Sequence, residues 1–274
     1  MTKLMLKQRV LSAAILIPIA GLFLYLGGWW FTALVTLFGL LAGYEAYTML
    51  SRRECGAHRP AKVWGLLLIL LLITSAMFEK DRDYAFPLLT GWVLLTLSWA
   101  LIRYHAGKMA ATDWAITLAV GVYIGGLMRY GILLRNLPQG FPWVLTGLLL
   151  TWITDSAAYF VGLSLGEKRH PLAPRLSPKK SVEGAIGGWV VGTLAAWPIA
   201  HLLLPHLSPA HALLLGALVS TAAPFGDLAE SMFKRQCGVK DSGHLIPGHG
   251  GAFDRLDSLL FVIPLVYAFA LWIG

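Results

Sequence analysis

Ser231-Met-Phe-Lys-Arg-Gln-Cys-Gly-Val-Lys240-Asp-Ser-Gly-His-Leu-Ile-Pro-Gly-His-Gly250-Gly-Ala-Phe-Asp-Arg-Leu-Asp257 overlaps the ends of two apolar runs, 209–233 and 255–273. It holds three Lys/Arg before Arg255, three Asp, two His and five Gly. Charge set against a membrane is costly and calls for a boundary or a function. The rest of the chain supplies the membrane: of 274 residues, 57% are hydrophobic and 13% charged, against about 25% charged in a soluble domain. The reading is an all-α, polytopic integral membrane protein.

A spanning helix needs roughly 20 apolar residues. Nine candidates stand out, at about 10–27, 30–49, 63–78, 85–102, 113–134, 142–165, 183–204, 209–233 and 255–273, the third being the shortest. Lys3, Lys7 and Arg9 before the first run resemble the start of a signal peptide. The run is long, ends in Gly27-Gly28-Trp29-Trp30 and lacks a small-x-small cleavage site, so it reads as a retained span with interfacial tryptophans. Lys and Arg bias loops to the cytoplasm. With nine spans, eighteen basic residues fall on the side of the N-terminus, and only Lys80, Arg82 and Arg135 lie in the opposite loops. That places the N-terminus in the cytoplasm and the C-terminus across the membrane. The same distribution argues against nucleic acid as the partner of the +8 net charge, because the basic residues sit in short loops and not on a soluble face. The chain reads as one membrane-embedded domain, 1–274, with N-terminal spans over 1–110 and chemistry-bearing spans over 111–274. Cys55 and Cys237 show neither metal-ligand spacing nor a disulfide framework.

Acidic residues do little for topology, so those within apolar sequence point to chemistry. Asp155 follows Leu-Leu-Leu-Thr-Trp-Ile-Thr, and Asp227 follows Pro224-Phe-Gly226. A Pro/Gly break at membrane depth is tolerated where it lines a cavity. Asp227 and Glu230 then read as a capping box, or as part of a site. Asp254 and Asp257 repeat the spacing, with Asp254 a candidate N-cap behind His249-Gly250-Gly251. Glycines before a helix N-terminus permit φ > 0 and close approach to an anion. Carboxylates from two helices beside Lys234, Arg235, Lys240 and Arg255 suggest a divalent cation and a polyphosphate, since magnesium takes one or two protein carboxylates and shares the rest of its shell with water and phosphate. In the loop 166–182, Ser177-Pro178 reads as an N-cap followed by Pro at the first helical position, placing Lys179, Lys180 and Ser181 in the first turn and Glu183 in the entering span. Those residues, with Asp155, His249, Gly250 and Gly251, are candidate substrate contacts.

The pattern S-x-F-K-R-x4-K-D-x-G-x2-I-P-x-H-G-G-x2-D-R-L-D over Ser231–Asp257 resembles the signature of the phosphatidate cytidylyltransferases. Thr154-Asp155-x-x-Ala-Tyr159 and Ser177-Pro-Lys-Lys-Ser-x-Glu-Gly184 are similar to the same family, and Ala252 departs from its usual larger residue. The resemblance implies conversion of CTP and phosphatidate to CDP-diacylglycerol and pyrophosphate in a bacterial-type inner membrane. It also implies Mg²⁺ on Asp227 and Asp254, a second cation with K⁺ as the expected ion, and a homodimer. Lys234, Arg235, Lys240 and Arg255 are then candidates for phosphate contact, as are Lys179 and Lys180. Asp155, Glu183, Asp241 and Asp257 would orient the basic groups or meet the second cation. A transporter of phosphorylated solutes would place its polar cluster near the midplane, between repeats, and neither is seen. A CDP-alcohol phosphotransferase would carry D-x2-D-G-x2-A-R, which is absent. A lipid-binding scaffold leaves the aspartates within the spans unexplained.

Overall fold

The computed structural model describes residues 3–78, 84–104, 110–166, 169–243, 245 and 250–273. Lys80, Arg82, Lys108, Lys168 and the candidate His249 lie outside the described residues. The helices are α1 (Lys3–Leu26), α2 (Gly28–Leu50), α3 (Lys62–Ser75), α4 (Ala85–Ile102), α5 (Ala110–Gly121), α6 (Leu127–Asn136), α7 (Gly140–Ser164), α8 (Val182–Leu203), α9 (Pro209–Gln236) and α10 (Phe253–Ile273). A π-helical turn at Val122–Gly126 joins α5 and α6 into one apolar run, Ala110–Asn136. Among the described residues, seven helices are long and apolar enough to cross a membrane. Two shorter apolar helices, Ala14–Leu26 and Lys62–Ser75, fall where the first and third spans are expected. The all-α, polytopic class is borne out, with one addition: strands β1 (Pro171–Ala173) and β2 (Ser177–Ser181) form an antiparallel hairpin.

That hairpin corrects the reading of Ser177-Pro178 as a helix start. Pro disfavours the α conformation in the residue before it and is tolerated on edge strands, and Ser177–Ser181 is extended. The helix begins one residue after Ser181, whose Oγ accepts from the Gly184 N–H at 3.1 Å. Ser181 is therefore the N-cap, and Lys179 and Lys180 precede the helix.

A second correction concerns Pro224 and Gly226. They do not break the span: α9 runs continuously from Pro209 to Gln236. A proline in a membrane helix is tolerated where neighbouring groups re-satisfy the backbone. Gly226 has a packing role instead, since a Cβ there would meet the Asp257 carbonyl and lie 2.8 Å from Ser258 Cα. Asp227 consequently sits inside the helix and caps nothing.

The chain forms two compact units. In the first, Met1–Leu133 with Gln236–Leu256, α3 packs on α2, α5 and the π-helical turn. Leu68, Ile69, Ile73 and Ile124 are fully buried there. Tyr47 is fully buried as well, lies against Gly65 where any side chain would collide with its ring, and donates its hydroxyl to Thr117 O at 2.6 Å. Cys55, in the turn after α2, forms a disulfide with Cys237, just beyond α9. The pair was not legible in the sequence because 182 residues separate its members; only tertiary folding brings them together.

The second unit, Leu134–Arg235 with Asp257–Gly274, is organised by α7 against α8. Gly184, Gly188, Gly192, Ala196 and Ala200 recur every fourth residue along α8, and all are buried. Small residues at this spacing let membrane helices approach closely, where van der Waals contact and interhelical hydrogen bonds hold them. A Cβ on Gly188 would lie 2.7 Å from Thr154 O and 2.8 Å from Ala158 Cβ on α7. The buried Thr154 hydroxyl meets Ser220 Oγ of α9 at 2.9 Å. Gly188→Leu should therefore destabilise the protein by about 1–3 kcal/mol through overpacking. A lowered midpoint in detergent thermal-unfolding assays checks this, and an unchanged midpoint contradicts it.

Candidate active site

In the second unit the site is built on α9 and the hairpin. Asp227 lies on α9, and Lys180 Nζ meets its Oδ2 at 2.5 Å. Both side chains keep roughly a third of their surface exposed (27% and 31%), so the contact faces an accessible space. Successive residues of a strand point to opposite faces. Lys180 turns toward Asp227, and its neighbour Lys179 is exposed. One turn along α9, the Ser231 hydroxyl reaches Asp227 Oδ1 at 3.5 Å. Asp155 of α7 interacts electrostatically with both Lys180 and Asp227. The sequence motifs around Asp155, Ser177–Gly184 and Asp227 thus converge on one cluster.

The same helix end carries Lys234 and Arg235. Lys234 is buried with Glu230, its Nζ donating to Oε2 at 2.5 Å across one turn. A buried charge needs such a partner. Arg235 donates its Nε–H to Leu176 O at 3.1 Å and so ties α9 to the hairpin. Glu183, at the start of α8, accepts from the His170 backbone N–H and meets its Nδ1 at 2.5 Å, closing the base of the hairpin. Ser177 lies in the paired strand, and Asp257 lies in the first turns of α10 with its Oδ1 on the Ser258 N–H at 2.7 Å.

In the first unit, Asp254 is buried. It was expected as an N-cap; α10 instead begins at Phe253, and Asp254 lies within the first turn. Its Oδ2 reaches back to accept from Gly251 N at 2.8 Å and from Ser242 N at 3.0 Å. Gly250 has φ +83° and lies so close that a Cβ would be 2.7 Å from Asp254 Oδ2. Glycine is therefore required twice over, for its backbone and for space. Lys240, Asp241 and Arg255 are exposed.

Glu45 on α2 was not assigned a role from the sequence. It is buried and accepts from Ser242 Oγ at 2.9 Å and from Phe253 N at 3.0 Å. The signal was present: like Asp155 and Asp227, it is a carboxylate inside an apolar span.

Hard carboxylate oxygens suit a divalent cation that keeps water and phosphate in its shell. Asp227 fits such an ion, because its Oδ2 is already presented to a cation, the Lys180 ammonium. Asp254 fits because two N–H groups orient its carboxylate. Among the described residues no cluster of three or more His, Cys, Asp or Glu forms a complete protein cage, and magnesium does not require one.

Residues 7–273 match the family model described as the cytidylyltransferase family. The chain is 37% identical over 269 residues to a phosphatidate cytidylyltransferase of Bacillus subtilis (strain 168), covering 96% of each chain. It is 37% identical over 300 residues to one from Synechocystis sp., covering 96% of this chain and 95% of the relative. A Pseudomonas aeruginosa phosphatidate cytidylyltransferase is 36% identical over 291 residues, with 98% and 97% covered. Similarity that runs through both compact units and takes in Asp155, the Ser177–Gly184 segment and the Ser231–Asp257 stretch makes this chain a member of the cytidylyltransferase family.

Proposed function

We propose that the protein transfers the cytidylyl group of CTP to phosphatidate, giving CDP-diacylglycerol and pyrophosphate. The observation that carries this reading is the meeting of Lys180 with Asp227 beside Asp155. It sets an anion-binding group and a cation-binding group side by side, as a nucleotide triphosphate with its metal requires. In the reaction a phosphate oxygen of the lipid attacks the α-phosphorus of CTP. The new O–P bond forms as the bond from that phosphorus to the bridging oxygen breaks, and the electron pair leaves with pyrophosphate. The attacking group is already an anion near neutral pH, so no strong base is called for. Catalysis then rests on positioning and charge neutralisation.

Lys180 is suited to bind phosphate oxygens from the end of a paired strand, with Lys179, Lys240 and Arg255 as further basic groups around the substrates. Lys234 pairs with Glu230 along α9, and Arg235 ties the end of that helix to the hairpin through Leu176 O. Asp227 and Asp254 would hold Mg²⁺, which when bound neutralises phosphate charge; Asp155, Asp241 or Asp257 would meet a second cation, K⁺. The distribution of Lys and Arg supports a cytoplasmic N-terminus and cytoplasmic 166–182 and 234–253 segments, where CTP is available, in a bacterial-type inner membrane. A homodimer is the assembly the family resemblance suggests.

Purified protein in detergent should convert CTP and phosphatidate to CDP-lipid with stoichiometric pyrophosphate, and chelation of divalent ions should stop the reaction. Failure to release pyrophosphate under any metal condition would refute the assignment. Asp227→Asn and Asp254→Asn should each lower turnover by about 10²-fold or more, in line with losing a principal electrostatic element. Near-normal turnover of either variant at saturating Mg²⁺ removes that residue from the metal site.

Strand alternation separates the two lysines. Lys180→Ala should reduce kcat/KM by about 10²-fold, and Lys179→Ala by less than about ten-fold, because only the former loses a directed charge. Equal effects in steady-state kinetics would mean that the facing seen here does not govern phosphate contact.

A further inference from the structure

We propose that Glu45 is a positioning residue for the reaction: through Ser242 and the first N–H of α10 it fixes the carboxylate of Asp254. The proposal rests on the reading of Asp254 as a metal ligand.

The connections run through one oxygen. Glu45 Oε2 accepts from Ser242 Oγ at 2.9 Å and from Phe253 N at 3.0 Å. Ser242 then donates its backbone N–H to Asp254 Oδ2 at 3.0 Å, and its hydroxyl lies at the same distance from that oxygen. A hydroxyl has one proton and two acceptor sites. It therefore serves one carboxylate at a time, and the N–H groups of Ser242 and Gly251 hold Asp254 whichever way it turns. Glu45, Ser242 and Asp254 are all buried, at 8%, 8% and 7% exposure.

Packing leaves this arrangement little freedom. A Cβ on Gly243 or Gly251 would run into the Glu45 carboxylate, and one on Gly251 also into Ser242 Oγ. Two glycines of the polar loop thus fold around a carboxylate supplied by α2. Burying that carboxylate is expensive unless its hydrogen bonds are met, and a neutral apolar residue would fill the same place at lower cost. What the carboxylate adds is an acceptor strong enough to hold a loop residue and a helix terminus at once. Groups that orient a metal ligand in this manner typically cost 10–100-fold in metal affinity or activity when removed.

The test uses the purified full chain in detergent, with Mn²⁺ as probe and free Mn²⁺ read by electron paramagnetic resonance. Wild type is compared with Asp254→Asn, Glu45→Ala, Glu45→Gln and Ser242→Ala. Glu45→Ala should weaken Mn²⁺ binding about 10–100-fold and raise the Mg²⁺ activation constant in parallel, with turnover largely restored at saturating Mg²⁺. Glu45→Gln should lose less, because its amide oxygen still accepts both hydrogen bonds. Ser242→Ala should weaken Mn²⁺ binding in the same direction, and the Glu45→Ala/Ser242→Ala double variant should be less than additive, as expected for one connected network. Wild-type Mn²⁺ affinity in Glu45→Ala and Ser242→Ala, with or without a lowered thermal midpoint, overturns the proposal. Should Glu45→Ala not be recovered folded, wild-type affinity in Ser242→Ala overturns it alone. If Asp254→Asn itself binds Mn²⁺ normally, the metal reading of Asp254 fails first, and Glu45 falls with it for that separate reason.

Discussion

Carboxylates carried on apolar helices must be given partners, and much of this architecture is arranged to provide them. Asp227 takes Lys180, Glu230 takes Lys234, and Glu45 takes Ser242 and the Phe253 N–H. None of these partners is available for nothing. Lys180 reaches Asp227 only because residues 171–181 fold into a hairpin whose second strand runs directly into α8. The direction of that strand is fixed by the Ser181 cap and by the Glu183–His170 contact at its base. The stripe of Gly and Ala along α8 then lets this assembly lie close on α7, which carries Asp155. Small residues far along the helix thereby determine where a lysine at its entrance can sit.

The first unit solves the related problem of holding a long polar segment still. The described residues of the segment between α9 and α10 form no helix or paired strand, and connections of that length are usually functional. Two fastenings from the α2 region hold it. The Cys55–Cys237 disulfide secures its beginning, and Glu45 secures its end through Ser242 and Phe253. A covalent bond restrains distance, whereas the hydrogen bonds also restrain direction, and the Ser242 and Gly251 N–H groups pass that restraint to the Asp254 carboxylate.

How much of this was legible in the sequence follows from the range of each signal. Apolar run length located the helices to within a few residues, as with 85–102 against Ala85–Ile102 and 142–165 against Gly140–Ser164. Hydrophobicity is averaged over many positions and survives local exceptions. Signals carried by two or three residues fared worse. Ser177-Pro178 is compatible with a helix start and with an edge strand, and pairing with Pro171–Ala173 decided for the strand. Pro224-Phe-Gly226 suits a helix break and also a close helix crossing, and the approach of Asp257 and Ser258 decided for the crossing. The cysteine pair and the Glu45 network were out of reach because their members lie 182 and 197 residues apart.

Those long separations explain why local spacing draws attention to the lysines and aspartates of the candidate site and not to the groups that hold them. A residue that orients a loop is drawn from whichever element packs against it, and local spacing gives no warning. The warning that exists is energetic. A buried carboxylate in an apolar helix must be satisfied from elsewhere in the chain. Glu45, a carboxylate within an apolar span like Asp155 and Asp227, is the one of the three that is buried. Its hydrogen bonds lead to the polar loop, as those of Asp227 lead to the hairpin. In both cases an apolar helix supplies a fixed carboxylate and a polar segment is folded onto it, so that rigidity comes from the spans and chemical variety from the loops.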